Sequence, residues 1–200
     1  MLTILEPVEN ELIITKSSFI TYLYPVQTVD EAKNYIKQIK EKHPTATHHV
    51  VCYIIGKTGE NGTANDDGEP SGTAGLPALN VFKNNDITNF VCIIVRYFGG
   101  IKLGAGGLVR AYSKSASEAL KLAIKVPIIE YDYLELEFNY AYLDIIENRL
   151  KNYEITNRSF STNITLIVKV NKLETNSLIS MLVGLTNNQI KIKVVIKSDE

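Results

Sequence analysis

The sequence predicts an α+β chain of two domains, residues 1–128 and 129–200. Three observations carry that reading. Runs rich in β-branched and aromatic residues are interleaved with stretches of helical periodicity, so neither an all-α nor an all-β pattern fits. Pro127 closes the strongest helical stretch and marks a boundary. Beyond it the order of elements is β-α-β-β-α-β, the ferredoxin-like split βαβ, which roughly 70 residues suffice to build.

In chain order, Glu11–Thr15 and Ser18–Val26 read as a hairpin of two strands. Thr28 and Glu31 form a capping box, and Val29, Ala32, Ile36 and Ile39 follow at helical spacing. That helix is expected to stop before Pro44, because the residue preceding proline avoids the α region. Thr47–Ile55 is a strand, followed by a polar loop over Gly56–Gly75 and a short helix that begins near Ser71 and carries Leu76, Leu79, Val81 and Phe82. Ile87–Tyr97, apolar along its centre, is a strand buried on both faces. Leu108 to about Lys125 is a helix with Leu108, Tyr112, Ala116 and Leu120 on one side. Arg110, Lys114, Lys121 and Lys125 share the other side, within an arc of about 80° that also holds Glu118. After Pro127 come a strand over Tyr131–Phe138, a helix over Tyr142–Lys151, a hairpin over Glu154–Phe160 and Asn163–Val170, a helix over Leu173–Leu185 and a strand over Ile190–Ile196.

Composition sets outer limits. At 45% apolar and 22% charged side chains the chain is expected to fold as a soluble protein. Its longest apolar runs, Val50–Ile55 and Phe90–Val95, are far shorter than the roughly 20 residues of a bilayer span. The opening residues have no basic stretch ahead of an apolar one, so a cytoplasmic location without membrane association is expected. Twenty-one basic and 22 acidic side chains leave a net charge of -1, which gives no global argument for binding nucleic acid. Cys52 and Cys92 each sit inside an apolar run and read as buried thiols, 40 positions apart and without the close spacing of a metal or redox pair.

Two glycine-rich segments can carry chemistry. In Asp66-Asp67-Gly68-Glu69-Pro70-Ser71-Gly72-Thr73-Ala74-Gly75, the carboxylates of Asp66, Asp67 and Glu69 are a set that can hold Mg²⁺, or are solvated charges or helix caps. Ser71 and Thr73 would then open the next helix, where free amides favour an anion. The second segment runs from Arg96 through Gly99, Gly100, Lys102, Gly104, Gly106 and Gly107 to Arg110. It leaves a strand and enters a helix, which suits phosphate, although it is neither a Walker loop nor a dinucleotide fingerprint. From Arg96 to Lys125 there are six basic residues and one acidic, Glu118, a local patch that the neutral total conceals. His48 and His49, adjacent on a strand, point to opposite faces and cannot share one metal; His43 ends a helix, where it is expected to cap the dipole.

The two glycine segments, the second read from Val95 to Tyr112, resemble the two signatures of the IMPACT/YigZ family. The similarity extends back through Lys16-Ser17-Ser18-Phe19-Ile20 and Thr47-His48-His49 and covers nearly the whole chain. The resemblance implies a first domain (1–128) like the second domain of ribosomal protein S5 and a second domain (129–200) of ferredoxin-like fold, similar to parts of elongation factor G. Eukaryotic members act on translation through an RWD domain that binds Gcn1. No such domain is present in this sequence, so Gcn1 is not expected as a partner. Where many relatives have cysteine directly after the histidine pair, this chain has Val50, and thiol chemistry is not expected there.

Together these readings predict a non-catalytic protein linked to translation. Arg96, Gly99, Gly100, Lys102, Gly104, Gly106, Gly107, Arg110 and Lys114 are its expected contacts to phosphates of RNA or the ribosome, and a protein of the translation machinery is a further candidate partner. Asp66, Asp67, Glu69, Ser71, Thr73, His48 and His49 form a candidate ligand loop. No catalytic residue, metal ligand or cofactor is assigned. The alternative is a Mg²⁺-dependent enzyme acting on a small phosphorylated or nucleotide ligand.

Overall fold

The computed structural model describes residues 1–56, 59 and 61–195. It is a mixed α/β structure that divides into two compact units, Met1–Ile128 and Ile129–Glu200.

The first unit is built on strands β2 (Val8–Ile14), β3 (Ser17–Pro25), β4 (His48–Ile55), β5 (Asn61–Asn65) and β6 (Phe90–Tyr97). They form one sheet in the order β2-β3-β6-β4-β5, every neighbouring pair antiparallel. Strand alternation sends Phe19, Leu23, Val50, Cys52, Cys92 and Ile94 to one face, against helices α2 (Gly75–Lys83) and α3 (Gly104–Leu122). Tyr22, Val51, Val91, Ile93 and Val95 occupy the other face, with Ala32 and Ile39 of α1 (Val29–Lys42). The sheet is therefore the middle of three layers, which is why β6 is buried from Phe90 to Arg96. Strands β1 (Leu2–Ile4) and β7 (Lys125–Pro127) pair with each other, outside this sheet.

Several elements differ from the sequence expectation. The polar stretch after β4 is not all loop: Asn61–Asn65 pairs with Val51–Ile55 as an edge strand, while residues 57, 58 and 60 of the expected loop lie outside the described residues. Helix α2 starts at Gly75 rather than near Ser71. Helix α3 starts at Gly104 and ends at Leu122, so Gly104, Gly106 and Gly107 belong to its first turn and Lys125 lies in β7. Low helix propensity at glycine, about 1 kcal/mol each, is outweighed here by burial of Leu108, Ala111 and Tyr112 one turn later. Cys52 and Cys92, distant in sequence, lie directly opposite each other on β4 and β6; burial and the neighbouring thiol push Cys92 well above its ordinary value.

The second unit comprises β8 (Tyr131–Phe138), a 3-10 turn (Tyr140–Tyr142), α4 (Leu143–Arg149), β9 (Glu154–Phe160), β10 (Ile164–Asn171), α5 (Thr175–Leu185) and β11 (Lys191–Val195). Its sheet runs β11-β8-β10-β9, all antiparallel. Leu134, Leu136, Phe138, Leu166 and Val168 pack under Ile146 of α4 and Leu178 and Leu182 of α5. The expected end of the last strand, Ile196, lies outside the described residues.

Candidate functional site

The acidic segment that follows β5 is folded around its own carboxylates. Asp66 Oδ2 accepts from the Gly72 amide at 2.7 Å, and Oδ1 accepts from the Ala74 and Gly75 amides at 3.1 and 2.8 Å. The anion expected at the start of α2 is thus Asp66 itself. Burial alone raises this carboxyl, but the amides of Gly72, Gly75 and Ala74 together hold it below its ordinary 3.8. A depressed carboxylate stabilises the fold fully above pH 3.8, and that contribution is lost as pH falls through the lowered folded value. Asp66→Asn is therefore expected to cost about 1–2 kcal/mol at neutral pH and to flatten the acid limb of a stability-versus-pH curve. Equal stability of both proteins from neutral pH down to the acid limb would contradict the cap.

Asp67, at φ +45°, turns the chain back toward the start of β4. Its Oδ2 accepts from the His49 amide at 2.7 Å, and its carbonyl accepts from His48 Nδ1 at 2.8 Å. A carbonyl only accepts, so His48 Nδ1 carries the proton and Nε2 faces Glu69 Oε2 at 3.8 Å. His49 points to the opposite face, where Nε2 donates to the His43 carbonyl at 3.0 Å. His43 is the C-cap residue of α1, as its place at the helix end suggested, and its amide donates to the Ile39 carbonyl. Its ring lies between the hydroxyls of Tyr22 and Tyr97, and burial, with Lys42 beside it, lowers its basicity. Thr73 donates to the Pro70 carbonyl at 2.6 Å, and Ser71 is exposed. Asp66, Asp67 and Glu69 thus turn to different partners, and among the described residues no three metal-binding side chains converge.

Arg96 departs furthest from expectation. Phe19, Arg96 and His48 stand side by side across β3, β6 and β4. The Arg96 side chain is 5% exposed, and Nη1 donates to Glu69 Oε1 at 2.5 Å. The buried Tyr112 hydroxyl donates to the same oxygen at 2.8 Å; burial and the Glu69 carboxylate push that hydroxyl far above its ordinary value. Arg96 does not present an open cation to a phosphate, because Glu69, 27 residues earlier, already compensates it. Its guanidinium instead lies 5.4 and 5.6 Å from the ring centres of Phe19 and Phe98.

With Arg96 compensated by Glu69, Lys121 by Glu118 at 2.8 Å, and Lys125 displaced into β7, the basic segment reduces to Lys102, Arg110 and Lys114 around the start of α3. Among the described residues none of the three side chains has an ion pair or hydrogen bond, although Lys114 adds to the field that lowers Glu118. All three line one groove of about 380 Å³, with Thr15 and Ile14 of the β2–β3 hairpin opposite Leu103 and Gly107. A second cavity of about 340 Å³ shares Lys102 and Leu103 and is walled by Phe98, Pro70, Leu108 and Glu69. Gly104 and Ala105 line it too. The N-terminus of α3 has no capping side chain and no acid in its first turn.

The structure thus gathers Lys102, Gly104, Gly107, Arg110 and Lys114 around two adjoining hollows. It assigns Gly99 to a close crossing with the hairpin instead, where its amide donates to Ser17 Oγ at 3.2 Å. Exposed Gly100 and Gly106 line neither hollow. Sequence reasoning passed over Phe98, Tyr112 and Ser17. The available signal for Phe98 was a large aromatic directly after a buried strand and before two glycines, a place where a core residue is not needed.

Residues 15–120 match the model of the Impact N-terminal domain. The chain is 40% identical over 196 residues to the IMPACT family member YvyE of Bacillus subtilis, spanning 96% of this chain and 89% of that protein. It is 34% identical over 186 residues to an IMPACT family member of Haemophilus influenzae, spanning 91% and 90%. The IMPACT family member YigZ of Escherichia coli is 38% identical over 131 residues, 63% of this chain and 64% of that one. A crystal structure described as that of an hypothetical protein aligns over 98% of both chains at 29% identity with a TM-score of 0.68. On the match to the family's domain and the near full-length similarity to its members, this chain belongs to the IMPACT family.

Proposed function

We propose that the protein is a non-catalytic, cytoplasmic binder linked to translation, and that Lys102, Arg110 and Lys114, with the open amides at the start of α3, hold phosphates of RNA or of the ribosome. The observation that carries this reading is the triad of exposed cations, none of them in an ion pair among the described residues, in one groove beside an uncapped helix N-terminus. Such a groove attracts a polyanion without reading its sequence. On this reading the first unit is the ribosomal protein S5 domain 2-like fold, and the second, with its strand order β11-β8-β10-β9, is ferredoxin-like. Arg96 and Gly99 act as scaffold for the groove rather than as contacts.

Three phosphate contacts should each add about 0.7–0.9 to the slope of log affinity against log salt. Affinity for purified ribosomes or ribosomal RNA is therefore expected to fall roughly 20- to 40-fold between 50 and 200 mM salt. An affinity that does not change over that range would refute the proposal.

A further inference from the structure

We infer that the 340 Å³ cavity beside the basic groove receives a single unstacked base of a nucleotide whose phosphate rests on Lys102 and the α3 amides; this rests on the phosphate-binding reading and specifies its ligand. The first support is Phe98. It is 45% exposed and lines the cavity, and the main chain on both sides of it is hydrogen-bonded in place. Its amide donates to Thr47 Oγ1 at 3.1 Å, the next amide donates to Ser17 Oγ, and the Arg96 guanidinium lies against the ring. One side of the ring is thus fixed by buried charge while the ring itself borders open space, the arrangement of a stacking platform for a base.

The second support is independent. The Glu69 side chain is 4% exposed and lines the same cavity. Oε1 is engaged by Arg96 and Tyr112 and Oε2 faces His48 Nε2 at 3.8 Å, whereas Nε of Arg96, which lines the same cavity, is buried and has no hydrogen-bond partner among the described residues. A buried N–H without an acceptor calls for one, and the Watson–Crick edge of every base supplies a nitrogen or carbonyl oxygen acceptor. Apolar walls at Pro70, Leu103 and Leu108 suit the faces of a planar ring, and Lys102 stands where this cavity meets the cationic groove. A paired base is stacked and cannot enter, so the chemistry selects an unpaired nucleotide, either within single-stranded RNA or free.

The test measures affinity of the full chain for a short single-stranded RNA, for the same sequence as a duplex and for adenosine monophosphate, with Phe98→Leu and Phe98→Tyr as variants. Phe98→Leu keeps an apolar side chain at an exposed position and Phe98→Tyr keeps the aromatic ring. The expected result is a loss of about tenfold or more for single-stranded RNA in Phe98→Leu, none in Phe98→Tyr, and duplex affinity unchanged in both. Binding of adenosine monophosphate alone, lost in Phe98→Leu, would keep the base site and assign it to free nucleotides, while overturning the RNA reading. Salt-dependent RNA binding that Phe98→Leu leaves unchanged, or weakens equally for both RNAs, would overturn the base site and leave the phosphate reading standing. Absence of binding to all three would overturn both.

Discussion

Alanine at Gly99 is expected to cost the first unit roughly 3 kcal/mol or more, enough to shift its unfolding midpoint visibly or to abolish its folding. A Cβ built on Gly99 would stand 1.9 Å from the Lys16 carbonyl oxygen and 2.6 Å from the Ser17 nitrogen. Both are main-chain atoms of the β2–β3 hairpin, so no rotamer change relieves the clash; either the hairpin or the segment after β6 must move. Gly100 next to it is the matched control. It has φ +85° and nothing within 4 Å of a built Cβ, so alanine there meets only left-handed strain of about 1–2 kcal/mol. Chemical denaturation of both variants checks the pair. Equal stability of Gly99→Ala and Gly100→Ala would show that the crossing is looser than described.

Glu69→Ala carries the other large effect. It removes the partner of a guanidinium that is 5% exposed and leaves the Tyr112 hydroxyl without its acceptor. Breaking a buried pair from one side costs about 3–5 kcal/mol, because an uncompensated charge remains inside. Replacing both partners with methionine removes the charge problem along with the attraction, so the double variant Glu69→Met with Arg96→Met is expected to recover much of the loss. Denaturation midpoints of the single and double variants decide it. A Glu69→Ala protein within about 0.5 kcal/mol of the parent, the scale of an ordinary surface change, would refute the buried pair.

How far the sequence can be read depends on how local the cause is. Tyr131–Phe138 alternates side chains with period two, and its strand bounds follow directly. Thr28 caps α1 by accepting from the Glu31 amide, as expected from the capping box, although the Glu31 carboxylate reaches the Gln27 amide one residue further out. Non-local causes stay hidden. β1 and β7 are three residues each and are defined only by pairing across the length of the unit. The basic stretch from Arg96 to Lys125 can be counted in the sequence, but which of its cations are compensated depends on Glu69 folding back onto β6. Asp66 is legible as a possible cap from its type and place; the identity of its three amides depends on a turn that only the folded loop sets. Phe98 carries no periodicity, and its role emerges only where Arg96 lies against one side of its ring.

The most direct test of the account compares the parent protein with the triple variant Lys102→Gln, Arg110→Gln and Lys114→Gln in a salt titration against the same single-stranded RNA. All three side chains are exposed, so the fold is expected to persist, as its denaturation midpoint will check. The account predicts much weaker binding at low salt and a log–log slope shallower by about 2–3 in the variant. Parent-like affinity and slope in a folded triple variant would mean that the phosphates are held elsewhere, and the central claim would fall.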